Sequence, residues 1–330
     1  MKRLLPPSLA LALLVAVAAD AEVLLRDDFD GPGLDATKWF VPTGPGTFFG
    51  RTQIRPPSEP LVVAGGVIGL QLDTYNPSAL VPGDSFLGSE FDTLETYAVE
   101  GGLEFEARVR LVSPLPAGLV GALFSFVYLP ASGTRDEIDF ELLSNDLVAA
   151  RERVLTNVFE NDDFSQPGDK AFADVAGLDL DAFHVYLVRW QANRVQWFVD
   201  GVLVREERNT VPDDPMNVRL NFWAPDASFV EAYDASLQPA ATPDENEVFF
   251  CEVDWVEIRR PEPLPGLGWG VDAAALPVLA LIATAAFALR IVEAGRSPSG
   301  TDSGSPFAAK RRPEAGVLSS AMLGRLRPAP

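Results

Sequence analysis

One cysteine, one histidine and few lysines are what this chain of 330 residues offers of three versatile side chains. With Cys251 alone, no intrachain disulfide can form. A zinc site made of several histidines or cysteines is excluded. A Ser-His-Asp triad would have to be assembled on His184. No GxxxxGK(S/T) loop is present to cradle nucleotide phosphates. Positive charge is also scarce: 26 Lys and Arg stand against 47 Asp and Glu, a formal net charge of -21. Like fields repel, so nucleic acid and polyanions are disfavoured as partners, whereas neutral ligands are not. What is abundant is carboxylate, set in a chain that is 47% hydrophobic and 10% aromatic, enough for a sizeable core.

The two ends differ from the middle. MKRLLPPSLALALLVAVAADA, residues 1–21, joins a basic start to an apolar run and an Ala19-Asp20-Ala21 cleavage pattern, which reads as a secretory signal peptide. Residues 261–272 form a Pro/Gly-rich linker. The run AAALPVLALIATAAFAL, residues 273–289, is uncharged and at the short end of what spans a bilayer, so a transmembrane or sorting helix is expected there. Residues 290–330 are basic and are expected to be a disordered tail, whose Arg and Lys suit the cytoplasmic side. The expected place of the protein is therefore extracytoplasmic, in a periplasm or at a cell surface, tethered to the membrane by the C-terminal helix.

The span 22–260 reads as strands. LEFEARVRL (103–111) alternates apolar and polar residues. VQWFV (195–199) leads through Asp200-Gly201 into VLVRE, a hairpin signal. FHVYLVRW (183–190) and FFCEVDWVEI (249–258) are further strands, the latter with Cys251, Val253 and Trp255 on one face and Cys251 a buried, inert thiol. GLVGALFSFVYL (118–129) suits a strand covered on both faces. No long segment here has helical periodicity. An antiparallel all-β sandwich follows.

One strand carries chemistry. In DEIDFELL (136–143), Glu137, Asp139 and Glu141 fall on one face and Ile138, Phe140 and Leu142 on the other. Three aligned carboxylates repel, so at least one is pushed to a raised pKa. One ionised and one protonated carboxyl are what glycoside cleavage needs. In so acidic a chain, spaced carboxylates also arise on an ordinary solvated face, and the triplet alone does not decide between the two.

Its company does. EIDFE resembles the E-x-D-x-E motif of glycoside hydrolase family 16; DEIDFE is especially similar to the plant xyloglucan endotransglycosylase/hydrolases, and EID-E is also similar to the lichenases. RDDFDGPGLDATKW (26–39), SEFDTLETYAVEGGLEFEARV (89–109), TNVF (156–159), FHVYLVRW with VQWFVDGVLVRE, PMNVRLNFWAP (215–225) and VDWVEI (253–258) resemble further family segments in order, over about 26–259. The resemblance implies a concanavalin-like jelly-roll of two curved antiparallel sheets with an open cleft. It implies endo-acting, retaining cleavage or transfer of a β-glucan-type polysaccharide, with Glu137 as nucleophile, Glu141 as general acid/base and Asp139 between them, in a monomeric catalytic domain that needs no cofactor. Spacing alone does not establish retention. Residues i and i+4 of a flat strand lie about 13 Å apart at the backbone, whereas a retaining pair brings its carboxyl groups to roughly 5–5.5 Å.

Sugar rings present C–H faces that stack on aromatics, so Trp223, Phe126 and Tyr128 are expected to form the platform, with Asn157 and Asn221 as hydrogen-bonding partners. The resemblance also implies a structural Ca²⁺ held by Asp254 of the last strand. Two positions depart from the pattern: Arg135 stands where lichenases carry an aromatic, and Asp92 where some relatives carry a cleft arginine. No extra residue separates Asp139 from Glu141, unlike the bulged motif of laminarinases. The rival function is a non-catalytic glycan-binding jelly-roll at the cell surface, which would keep the aromatics and lose the carboxylates. A Ca²⁺-dependent adhesion domain would need D-x-D-x-D-G loops, which the sequence lacks.

Overall fold

The computed structural model describes residues 21–43, 47–165 and 168–261. The signal peptide (but for its last residue), the linker after Pro261, the 273–289 run and the tail lie outside the described residues. Among those described, no helix is long and apolar enough to cross a membrane.

In chain order the strands are β1 (Glu22–Asp27), β2 (Trp39–Phe40), β3 (Phe48–Phe49), β4 (Thr52–Ile54), β5 (Val62–Val63), β6 (Ile68–Asp73), β7 (Phe86–Thr93), β8 (Leu103–Leu111), β9 (Val120–Leu129), β10 (Thr134–Leu143), β11 (Arg153–Asp162), β12 (Ala171–Asp174), β13 (His184–Gln191), β14 (Arg194–Val199), β15 (Val202–Glu207), β16 (Asn217–Trp223) and β17 (Val248–Arg260). One sheet has the spatial order β2-β7-β16-β9-β10-β11-β12. The other runs β1-β17-β8-β13-β14-β15, with β6 and β5 continuing beside the first half of β17. Pairing is antiparallel except between β4 and β7. The expected all-β sandwich forms, and the short α1 (Ser144–Val148) after β10 adds little to it.

Period-two patterning explains the layers. On β8 the inward residues Leu103, Phe105, Ala107, Val109 and Leu111 are buried, while Glu106, Arg108 and Arg110 reach toward solvent. They meet Ile138, Phe140 and Leu142 of β10, Tyr186, Val188 and Trp190 of β13, and Val218, Leu220 and Phe222 of β16 in one apolar core. Trp197 crosses that core and donates its Nε1–H to the carbonyl of Asp139 at 2.9 Å, so a tryptophan of the outer sheet anchors the middle of the acidic strand. The β14–β15 hairpin turns at Asp200 (φ 48°) and Gly201 (φ 78°), left-handed values that an Asp-Gly pair tolerates.

β9 is covered on both faces over its first half, as its continuous apolar run predicts. Leu119 and Leu123 face the main core, while Val120 packs with Leu143, Leu155 and Ala232 in a second cluster that Trp223 and Phe229 flank. β17 corrects one expectation. Cys251 and Val253 are buried, but the register shifts at Asp254, where two residues of β17 oppose one step of β8. This bulge reverses the faces after Val253. Val256 and Ile258 therefore point inward, and Trp255 turns outward beneath the guanidinium of Arg26 at 4.2 Å.

Candidate active site

Strand register lays the site out as three rungs across the sheet. Asn217, Phe126, Glu137 and Phe159 form the first; Asp92, Arg219, Phe124, Asp139 and Asn157 the second; Glu90, Asn221, Ala122, Glu141 and Leu155 the third. Because each strand contributes alternate residues to one face, polar groups of β7, β16 and β10 converge with the aromatics of β9. They line a cavity of about 280 Å³, to which Trp223 and Phe49 also contribute. The two rings meet edge to face, with centroids 5.0 Å apart.

The three carboxylates of β10 are not equivalent. Burial pushes all three upward, and repulsion from neighbours on the strand adds to it for Asp139 and Glu141. Asp139 lies well above the usual range, from burial first and then from Glu137 and Glu141 on either side, and it shares a hydrogen bond with Glu137. Glu141 is pushed up to about 8 by burial and by Glu137, with Lys170 opposing and Glu231 adding. Lys170 and Glu231 pair with each other at 2.8 Å. Glu137 is also raised by burial, but Arg135 counters that as the leading opposing influence, with Nη1 2.6 Å from Glu137 Oε2. The strand therefore presents Glu141, whose proton is held up to about pH 8, beside Glu137, whose upward shift a guanidinium opposes.

Among the sequence candidates, Glu137, Asp139, Glu141, Phe126, Asn221 and Trp223 come together around the cavity. Asn221 donates to Glu90 Oε2 at 3.0 Å. Asn157 lies in the rung of Asp139 but does not line the cavity. It is packed so closely under Gly168 that a Cβ there would fall 2.5 Å from Asn157 Oδ1. Tyr128 sits at the outer rim, 47% exposed, against Phe164 at 5.9 Å. Sequence reasoning passed over Glu90, Arg219, Phe49 and Phe124, and saw Arg135 and Asp92 only as departures. The signal for Arg219 was there, since Asn217, Arg219, Asn221 and Trp223 alternate on β16. A cleft arginine is thus present, supplied by the strand beside Asp92. The sole histidine belongs elsewhere, its Nδ1 2.6 Å from Asp200 Oδ2 at the hairpin turn.

Asp254 does not fit a calcium ligand as placed. Its Oδ2 lies 2.6 Å from Arg108 Nη1, so a cation bound there would have to displace a guanidinium. Among the described residues the acidic groups that gather closely are Asp136, Asp213 and Asp214. Asp136 is buried and already accepts the amides of Asn161, Asp213 and Asp214.

Comparison with known proteins agrees with this geometry. The family model for glycosyl hydrolases family 16 matches residues 63–246. A beta-glucanase of Bacillus amyloliquefaciens is 31% identical over 117 residues, 35% of this chain and 46% of that one. The endo-1,3-1,4-beta-glycanase ExoK of Rhizobium meliloti is 26% identical over 203 residues, 61% of this chain and 68% of that one. The chain spans about half the length of most of the curated relatives it matches. A crystal structure of a beta-1,3-1,4-glucanase (lichenase) from a mouse hindgut metagenome superposes with a TM-score of 0.56 at 23% identity, over 72% of this chain and 99% of that one, a likeness of fold.

Proposed function

The chain belongs to glycosyl hydrolases family 16, and from that premise we propose that its cleft cleaves internal linkages of a neutral β-glucan-type polysaccharide with retention. Glu137 is the nucleophile and Glu141 the general acid/base. Glu141 gives its proton to the glycosidic oxygen as Glu137 attacks the anomeric carbon, and the bond to the leaving sugar breaks. Asp139, protonated, donates to Glu137 and keeps the second carboxylate from adding repulsion. Glu141, now ionised, takes a proton from water, which attacks the glycosyl-enzyme and frees Glu137. A sugar hydroxyl in place of water gives transfer instead.

The observation that carries this reading is the asymmetry along β10: Glu141 half-buried and raised to about 8, Glu137 against a guanidinium. The neutral substrate class is supported by the balance of charge in the cleft, where Arg135 is matched by Glu137 and Asp162 and Arg219 by Glu90 and Asp92. No cation is left over for a sulfate or uronate among these groups. The domain acts outside the cytoplasm in this reading, with residues 1–21 directing export and 273–289 as tether. The test is the purified domain on mixed-linkage glucan, xyloglucan, laminarin, agarose and carrageenan, with products followed by NMR. Cleavage of a neutral glucan with β-configured first products is expected. Preference for carrageenan, or α-configured first products, would overturn the reading.

A further inference from the structure

We infer that Arg135 is a positioning residue, whose fixed guanidinium holds the Glu137 carboxylate ionised and in place for attack. The inference rests on the two-carboxylate reading above and adds a residue to it. Strand periodicity puts Arg135 and Glu137 on the same face of β10. Across β10–β11, Arg135 opposes Asp162 and Glu137 opposes Phe159, so β11 spends one residue more than β10. Asn161 lies in this bulge with φ 50°, and the bulge brings Asp162 to the arginine. Asp162 Oδ2 then lies 3.1 Å from Arg135 Nε. The guanidinium lies 3.7 Å from the centroid of Phe159 and 4.6 Å from that of Phe164. An anion and two rings hold the cation before any sugar binds, which is the preorganisation that makes a charge effective in a buried site.

The contact with Glu137 has a further property. Nη1 is 2.6 Å from Oε2, yet no aligned hydrogen bond is made to Oε2. The pair brings positive charge directly against the oxygen that attacks. The charged groups around Glu137 are Arg135, Asp139 and Glu141 on its own strand, Asp162 on β11, and Arg219 on β16. β9 contributes Phe126, which carries no charge. Arg219 lies over the Phe126 ring at 4.6 Å and shares its charge with Glu90 and Asp92. Arg135 is therefore the leading cationic influence on Glu137, ahead of Arg219.

The experiment is the pH dependence of kcat/KM on the glucan that the wild type cleaves, for wild type, Arg135→Met and Arg135→Lys. Methionine keeps an apolar stem against Phe159 and Phe164 and removes the charge. Its acidic limb is expected to move up by about one pH unit or more, the usual influence of a close opposite charge, with lysine restoring much of the shift. A limb that stays put in Arg135→Met, with only KM changed, would show Arg135 to be cleft wall and overturn the inference. Should Arg135→Met fail to fold, Asp162→Asn asks the same question from the other side. Freed of its competing anion, Arg135 should move the limb down, and an unmoved limb overturns the inference. A wild type that cleaves no glucan defeats the family-16 reading and this inference together, whereas an active wild type with unmoved limbs defeats this inference alone.

Discussion

Arg219 faces Asp92 directly across the β16–β7 pair, Nη1 3.4 Å from Oδ2, and the same nitrogen lies 3.6 Å from Glu90 Oε1. One guanidinium thus serves two buried carboxylates. Burial first, and then Glu90, push Asp92 up to about 8, and burial raises Glu90 as well, against the pull of Asn221 and Arg219.

Stability should register the proton on Asp92. Folded Asp92 keeps it up to about pH 8, whereas the unfolded chain releases it near the ordinary aspartate value of 3.8. The native state binds more protons between those limits, so its stability is full below them and falls as pH rises toward 8. Glu141 and Asp139, also raised, act in the same direction. Asp92→Asn cannot titrate, so its Tm should fall less than that of the wild type between pH 5 and pH 8, by roughly 2–4 °C for each kcal/mol relieved. Scanning calorimetry at the two pH values decides it, and equal losses in both proteins would show that Asp92 is not raised.

Glu141 should set the alkaline limb. As the acid it must be protonated in the free enzyme, so kcat/KM should fall as pH rises through about 8. Glu141→Gln should lower turnover of polysaccharide by about 10²–10⁴-fold, the usual contribution of a positioned acid. An aryl glycoside with a good leaving group needs less protonation and should lose much less. Steady-state rates on the two substrates test this, and equal losses on both would assign the acid elsewhere.

Trp223 should act on binding. It lines the cavity, meets Phe49 at 5.0 Å and Phe229 at 6.1 Å, and keeps one side open to the cleft. Trp223→Ala should raise KM by roughly tenfold, equivalent to about 1.4 kcal/mol, and change kcat less. A variant with unchanged KM and a lowered Tm would make the ring a packing residue only.

What the sequence discloses of this architecture follows from what alternation can encode. The acidic face of β10, the β8 pattern and the Asp200-Gly201 turn are local period-two or turn signals, and the structure reproduces each. Register between strands distant in sequence is not local. Glu90 and Asn221 are 131 residues apart yet share a hydrogen bond, and nothing in either segment states that β7 and β16 are neighbours. Bulges are hidden for the same reason. The extra residue at Asp254 turns Trp255 outward, and the bulge at Asn161 delivers Asp162 to Arg135. Asn157 and Tyr128 show a third limit. Each lies on a strand of the cleft sheet, but whether its side chain meets the cavity depends on Gly168 and Phe164, which loops bring over it.

Glu137 gives the sharpest separation of an enzyme from a sugar-binding jelly-roll. A nucleophile forms a covalent glycosyl-enzyme, so Glu137→Ala should lose turnover by several orders of magnitude. Binding should survive, because Trp223 and Phe126 do not depend on this carboxylate for their contact with a sugar face. The substitution also opens a small space beneath the anomeric carbon, next to the guanidinium of Arg135, which lies 2.6 Å from the carboxylate being removed. A small anion such as azide fits that charge and that space. It attacks an activated β-glycoside from the vacated side, the aryl group leaves with its electron pair, and an α-glycosyl azide forms by one inversion. Two inversions in the parent then account for retention. NMR of the products from wild type and variant, run side by side with azide present, reads the configuration directly. A β-glycosyl azide, or polysaccharide cleavage undiminished in Glu137→Ala, would remove Glu137 from the nucleophile's role.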